Sequence, residues 1–355
     1  MRIVAFADLH LTNSNPKFKT TNGVSDLLSA QSAYLQHVKK VAEERDADAI
    51  VFLGDYTDDE TLDPVVQTFA NHGVDVLTDF DGSVILIEGN HCVSDSKNEY
   101  TVLGAADRLC RKDNVEFVLL NDSIRVGDTV FHCFPYMSDY RLLEQLISET
   151  NDGVNTDLVN VMLFHFPTKN AMLDNGLKSS GGVELSDEII SNFDLCLGGD
   201  FHKPQQVTDD CYYVGAPFDF KFGEHLRRHT TVVDIDKDGY SIEKVENPFQ
   251  YDILKVDVEE FLERDWQRAD KTIVKVVGKP TAEQISKVDE KKKEFYRLMT
   301  CFDEKEGDGE EELSVDIVEE NGAKDLDLIR SQMIKRGVDE DVLDRAVEIY
   351  ETELV

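Results

Sequence analysis

Five apolar runs in this chain each end in residues able to ligate a metal or move a proton, and that recurrence restricts the fold more than any other feature. Ala5-Phe6-Ala7 leads into Asp8-Leu9-His10, Ile50-Val51-Phe52-Leu53 into Gly54-Asp55, and Val84-Ile85-Leu86-Ile87 towards Gly89-Asn90-His91. Val161-Met162-Leu163-Phe164 precedes His165, and Leu195-Cys196-Leu197-Gly198-Gly199 precedes Asp200-Phe201-His202. Short continuous apolar runs predict buried strands. Ligands at the carboxyl ends of strands in an α/β sheet converge on one crevice. Oxygen and imidazole donors in this number suit two hard divalent cations.

Taken singly, each cluster has a plainer reading. Asp8-x-His10 places both side chains on one side of a strand end, because side chains alternate, yet a capping Asp followed by an incidental His has the same letters. Gly54-Asp55 also describes a turn with a capping carboxylate, although a carboxylate bridges two cations more readily than an imidazole. Asn90 offers a neutral oxygen next to His91, which can donate a proton. His165 alone reads as a satisfied core histidine, and Asp200-x-His202 repeats the first spacing. Their conjunction decides, since four of the nine histidines fall in these clusters. His37, His72, His132, His225 and His229 lack such a setting and read as surface or structural.

A length of 355 residues at 41% hydrophobic content accommodates one large domain plus a smaller one, or two domains. No stretch approaches the roughly 20 apolar residues of a membrane span. A first strand that carries site chemistry argues against a cleavable leader. The six cysteines form no C-x-x-C pair and read as reduced thiols of a cytoplasmic protein. The formal charge is −35, with 20 basic against 42 acidic residues up to position 246 and 17 against 30 beyond it. Such a field repels nucleic acid at long range unless basic residues cluster locally, or metals and a partner offset it.

Up to residue 246 strands alternate with amphipathic helices. Leu27, Leu28, Tyr34, Leu35, Val38, Val41 and Ala42 recur at helical spacing, and shorter patterns predict helices around Val65–Phe69 and Leu142–Ile147. Strands over Cys211–Val214, Thr230–Ile235 and Ser241–Val245 follow, the last two joined by an Asp238-Gly239 hairpin signal. This order suits two packed sheets flanked by helices. Past Asn247-Pro248, a strand over Thr272–Val277 precedes a helix that runs from a Thr281/Gln284 capping box to about Met299. An acidic loop over Asp303–Glu312 and a returning strand over Leu313–Val318 complete a small α/β unit, and a helical pair broken at Gly337 ends the chain. The expected domains are 1–248, 249–320 and 321–355. Lys291-Lys292-Lys293, with Lys271, Lys275 and Lys279, either meet phosphates or form an ordinary solvated face.

As a set, the five clusters resemble the calcineurin-like metallophosphoesterases, whose pattern is D-x-H, G-D-x-x-D, G-N-H-[DE], H and G-H-x-H. Asp58 completes the second motif, and the match spans residues 8–202. The resemblance implies an α/β fold, a four-layer α/β/β/α sandwich. It implies one metal held by Asp8, His10, Asp55 and His202, a second held by Asp55, Asn90, His165 and Asp200, and His91 as the catalytic proton donor or phosphate-orienting residue. Two positions depart from the pattern. Asp200 stands where a histidine is usual and favours a harder ion, Mn²⁺ or Mg²⁺. Cys92 stands where an acid usually supports the histidine before it.

Tyr213-Val214-Gly215-Ala216-Pro217 followed by Phe222-Gly223-Glu224 resembles the Y-x-G-[ST]-P…F-x-E segment of the SbcD-type DNA-repair nucleases. The unit after residue 250 resembles their DNA-facing capping domain. The terminal helices resemble the segment with which phage and bacterial members grip an SMC-like ATPase, and the chain as a whole looks most like a phage recombination endonuclease subunit. The resemblance implies a Mn²⁺-dependent homodimeric nuclease with double-strand 3′→5′ exonuclease and single-strand endonuclease activity, acting on DNA ends in the cytoplasm, that of the host if phage-encoded. The same motifs leave open a small-substrate phosphodiesterase or phosphatase. Asp200 and Cys92 leave open a non-catalytic scaffold that binds DNA ends.

Overall fold

The first apolar run becomes strand β1 (Arg2–Phe6), which lies inside a sheet with neighbours on both sides. The computed structural model describes residues 1–302 apart from 59–61, 93–100, 111, 174–175 and 224–225. A short hairpin of β2 (Thr20–Thr21) and β3 (Val24–Ser25) ends in Ser25, whose hydroxyl accepts from the Leu28 amide at 3.1 Å and caps helix α1 (Asp26–Glu44). β4 (Ala49–Leu53), α2 (Pro64–Thr78), β5 (Ser83–Ile87), α3 (Val102–Leu109) and β6 (Val115–Val118) continue the alternation. β1, β4, β5 and β6 pair in parallel, so their carboxyl ends share one edge.

A second sheet grows from β7 (Asp122–Val126), β8 (Thr129–Phe134), α4 (Tyr140–Gly153), β9 (Val159–His165), α5 (Asp187–Ile190), β10 (Leu195–Gly199), β11 (Gln205–Thr208) and β12 (Cys211–Tyr213). Its strand order is β11-β12-β10-β9-β8-β7, with β8, β9, β10 and β12 parallel. The hairpin β13 (His229–Asp236) and β14 (Gly239–Glu246) then returns to the first sheet, giving β14-β13-β1-β4-β5-β6. The expected Asp238-Gly239 turn closes it, with Asp236 opposite Gly239.

Alternation along the strands sorts the core. Ile3, Ala5, Val51 and Ile85 of the first sheet join Phe131, Val161 and Leu197 of the second in one buried cluster. The opposite face of the first sheet, with Val4, Phe6, Ile50 and Phe52, packs on Leu27, Leu35 and Val38 of α1. Met162, Phe164 and Cys196 of the second sheet pack on Leu143 and Ile147 of α4. Each fully buried Val, Leu, Ile or Phe contributes about 1.5–3 kcal/mol. This packing holds the two sets of strand ends together. Cys133, Cys196 and Cys211 are buried free thiols within it.

β15 (Asp252–Asp257), α6 (Val258–Glu263), β16 (Thr272–Val277), α7 (Ala282–Lys291) and β17 (Arg297–Cys301) form a parallel three-stranded sheet with its own core, including Val256, Phe261, Val274, Val276 and Val288. The Thr281/Gln284 capping box is present, but the helix it starts stops at Lys291, well before Met299. Arg297–Cys301 instead pairs with β16, and Phe295 and Leu298 are buried against it. Ladder hydrogen bonds and that burial outweigh the helical propensity of the lysine-rich stretch. Helix α3 was not foreseen in the sequence. Glu224, His225, the acidic loop, the strand over Leu313–Val318 and the terminal helical pair lie outside the described residues. No helix among the described residues is long and apolar enough to cross a membrane.

Candidate metal centre

All five clusters sit at the carboxyl ends of strands: Asp8 and His10 after β1, Asp55 after β4, Asn90 and His91 in a 3₁₀ turn after β5, His165 closing β9, and Asp200 and His202 after β10. Main-chain bonds lace the loops together. The Asp8 amide donates to Gly54 O at 2.9 Å, the His10 amide to Asp55 O at 3.0 Å and the Leu11 amide to Tyr56 O at 3.0 Å. The His165 Nδ1–H donates to Leu53 O at 2.6 Å and so ties the second sheet to the first.

Four candidate ligands hold left-handed backbone: Asp8 (φ 50°), His10 (φ 46°), Asp55 (φ 59°) and Asp200 (φ 92°). Each such residue costs on the order of 1–3 kcal/mol, and strain of this kind gathers at functional sites. Gly54, at φ 95°, leaves the space that the His165 ring occupies, and a Cβ at Gly89 would strike the Asp55 carboxylate. Both glycines therefore admit a ligand rather than merely turn the chain.

Asp55 lies in the middle. Its Oδ2 is 3.3 Å from His165 Nε2 and 3.7 Å from His10 Nε2, and its Oδ1 accepts the His91 amide at 2.9 Å. Two groups of donor atoms, each within 4.8 Å of one another, share it: Asp8, Asp55 and His165, and His10, Asp55 and His91. The remaining candidates close around them. Asn90 Oδ1 lies 3.0 Å from His165 Nε2, His202 Nε2 3.1 Å from His10 Nε2, and the Asp200 amide donates to Asp8 Oδ1 at 2.9 Å. All seven residues expected as ligands are thus brought to one place. His91, the expected catalytic residue, is the more exposed neighbour, with 43% of its side chain accessible.

The electrostatics call for cations. With Nδ1–H committed to Leu53 O, a neutral His165 would turn the lone pair of Nε2 towards oxygens of Asp55 and Asn90. Only a proton or a metal at Nε2 relieves that contact. Burial opposes protonation of His165, but the charge and hydrogen bond of Asp55 outweigh it and raise its pKa to about 10. Burial likewise opposes ionisation of Asp55, and His165 overrides it and holds the carboxyl well below its usual range. Asp200 goes the other way: burial, with Asp8 and Asp55 nearby, pushes it up to about 7 against the pull of His165. Asp8 Oδ2 is buried without a hydrogen-bond partner among the described residues. Carboxylate oxygens, an amide oxygen and imidazoles, one already oriented by a carbonyl, fit hard divalent ions.

Residues 1–204 match the family model described as calcineurin-like phosphoesterase. The chain belongs to this family. Calcineurin-like phosphoesterases use a dinuclear metal site, and the shared Asp55 is placed for one. A search among curated proteins finds no match. Among solved structures, similar chains include a protein of Thermus thermophilus at 14% identity and TM-score 0.42, covering 68% of this chain and 98% of that one. A purple acid phosphatase from yellow lupin (Lupinus luteus) seeds matches at 11% identity and TM-score 0.44, covering 70% of this chain and 51% of that one. A dimetal phosphatase from Danio rerio matches at 8% identity and TM-score 0.45, over 70% and 96% respectively.

Asp58 supplies what Cys92 does not. His91 Nδ1 lies 2.9 Å from the Asp58 carbonyl and 4.0 Å from its carboxylate, which also sits 3.4 Å from His10 Nδ1. Burial raises the Asp58 pKa, but the hydrogen bond and charge of His10 prevail and lower it. Two supports went unseen in the sequence. Buried Gln31 on α1 donates to Leu9 O at 2.7 Å and His10 O at 2.8 Å, pinning the first loop. Its signal was present, since Gln31 interrupts the apolar stripe between Leu28 and Tyr34. Buried Arg228 donates from Nη1 to His202 O at 2.5 Å and from Nε to Asp219 at 2.5 Å. Arg227-Arg228 carries no such signal. His132, read as structural, is buried between Ser123 Oγ at 2.9 Å and Asn160 Oδ1 at 3.1 Å.

Proposed function

We propose that this metallophosphoesterase cuts DNA, as the nuclease subunit of a complex with an SMC-like ATPase that processes ends for recombination and repair. The observation that carries the hydrolytic part is the convergence of seven donor residues, Asp55 at their middle. In this reading Asp8, His10, Asp55 and His202 hold one Mn²⁺ or Mg²⁺ ion, and Asp55, Asn90, His165 and Asp200 hold the other. Two such ions would lower the pKa of a shared water and offset charge on the phosphoryl oxygens during in-line attack. His91 keeps Nδ1 on the Asp58 carbonyl, which leaves Nε2 to orient the phosphate or protonate the leaving oxygen. The loops exclude bulk water from Asp8, Asp55 and His165, which are almost wholly buried, while half-exposed His91 meets the substrate.

DNA as the substrate is supported by the Tyr213–Pro217 segment and the three-stranded unit that follows. The Tyr213 hydroxyl donates to Phe166 O at 2.8 Å just past His165, and the Ala216 amide donates to His202 O at 3.0 Å, so this segment braces two ligand loops. Residues 249–320 would face DNA, and 321–355 would bind the ATPase. The charge of −35 favours a second reading, a small-substrate phosphodiesterase, because a long polyanion meets more repulsion than a small diester. The test is the full chain with Mn²⁺ and its ATPase, given linear duplex, circular single strand and bis(p-nitrophenyl) phosphate. Cleavage of DNA supports the proposal. Turnover of the small diester alone favours the second reading.

A further inference from the structure

Acidic residues outnumber basic ones 72 to 37, and several lysines pair with a carboxylate. Lys39, Lys169, Lys237 and Lys287 each lie within 3.1 Å of one. Among the described residues Lys17, Lys19 and Lys271 make no ion pair, as is also true of Lys244 and Lys291, and each of these ammonium groups rests over an aromatic ring. Lys19 Nζ is 4.5 Å from the Tyr296 centroid, Lys271 Nζ 5.2 Å from that of Tyr251, and Lys17 Nζ 5.6 Å from that of Phe222. Tyr251 and Tyr296 lie 4.8 Å apart and Phe18 5.2 Å from Tyr251, while Phe222 packs with them on the same hydrophobic core. Arg297 joins this group by donating to Pro16 O. The nearby carboxylates are Asp26, which accepts the Tyr296 hydroxyl at 2.7 Å, and Asp270, which acts on Tyr251 through its charge.

This cluster leads to the metal centre. Phe220, two residues before Phe222, lies 5.4 Å from the His10 ring and 5.6 Å from the His202 ring. Rings that hold ammonium groups in place without neutralising them leave the full charge available to an anion. A small diester would touch only the groups at the metal centre, whereas a polymer of phosphodiesters would run on past the Phe220 ring. We infer that Lys17, Lys19 and Lys271 grip the phosphate backbone of a nucleic-acid strand as it leaves the metal centre, an inference that rests on the DNA-cleaving reading above. Phosphate contacts of this kind fix register without reading sequence.

The test uses the full chain and the triple variant Lys17→Gln/Lys19→Gln/Lys271→Gln. Binding of a labelled single-stranded oligonucleotide is measured by anisotropy across a salt series in EDTA, and Mn²⁺-dependent hydrolysis of bis(p-nitrophenyl) phosphate is followed in parallel. Each phosphate contact on a single strand contributes about 0.7 to the slope of log K against log salt, so the variant should lose about 2. Its turnover of the small diester should match the parent, and a triple Lys→Arg variant should keep the parental slope. An unchanged slope in a protein that still cuts DNA overturns the inference and leaves the nuclease reading standing. A parent that hydrolyses the diester but neither binds nor cuts the oligonucleotide overturns both.

Discussion

Two buried charge clusters meet at His202, and they are completed differently. Behind its carbonyl, Arg228 and Asp219 pair at 2.5 Å, Gln250 reaches the other Asp219 oxygen at 3.4 Å, and Arg228 Nη1 donates to His202 O and Ala216 O. In this network the guanidinium and the carboxylate offset each other's charge. In front of the His202 ring, Asp8, Asp55 and Asp200 crowd together on left-handed backbone, Asp8 Oδ2 has no hydrogen-bond partner among the described residues, and two imidazole nitrogens face each other at 3.1 Å. A buried polar network that satisfies itself stiffens a fold, whereas one that falls short of positive charge is built to receive it. The difference separates scaffold from centre more clearly than burial does, since both clusters are almost wholly enclosed.

The largest contrast should come from Asp55→Asn. Losing a carboxylate that two cations would share would remove several kcal/mol of stabilisation for developing charge. At about 1.4 kcal/mol per factor of ten, kcat/KM toward a phosphodiester should fall on the order of a thousandfold. In the metal-free protein the same change removes the charge partner of protonated His165, so some resistance to urea should go with it. If the variant bound Mn²⁺ as tightly as the parent and kept its turnover, the cluster would be a structural element like its neighbour, and the comparison would break.

Arg228→Met should act on stability alone, with or without metal. It strands the Asp219 carboxylate in the interior, and breaking a buried pair in this way costs about 3–5 kcal/mol. Removing both charges in Arg228→Met/Asp219→Leu should recover much of that loss in urea unfolding. A single variant as stable as the parent would mean that the pair does not hold the His202 loop.

The same contrast explains what the sequence disclosed. The residues of the centre were legible because each follows an apolar run that reads as a buried strand, and because strand ends in such sheets point to a common edge. The bracing residues were not. Gln31 betrays itself only as a polar interruption on an apolar helix face, and Arg228 only through partners 9 to 26 residues away. The helix expected to reach Met299 failed for a related reason: whether Arg297–Cys301 coils or extends is settled by a ladder to β16, which no local pattern encodes.

A smaller effect distinguishes the clusters by pH. In metal-free protein the folded pKa of His165, about 10, exceeds its ordinary value of 6.5, so the stabilisation it provides is whole below 6.5 and is lost as pH rises towards 10. Asp200 acts in the same direction. Its folded pKa near 7, raised by burial above the ordinary 3.8, makes ionisation cost stability increasingly between those values and fully above 7. The EDTA-treated chain should therefore lose stability between pH 6.5 and 8.5. Mn²⁺ replaces the same protons, so it should bind more tightly as pH rises and reverse the trend, adding about 2.7 kcal/mol at a hundredfold excess over its Kd. Arg228→Met should retain the sign of this pH dependence because its loss is independent of protons, whereas Asp55→Asn should abolish most of it. Thermal melts at the two pH values, with EDTA and with Mn²⁺, read the difference. A metal-free chain that grows more stable over this range would mean that the carboxylates and imidazoles in front of His202 do not share protons as their geometry requires.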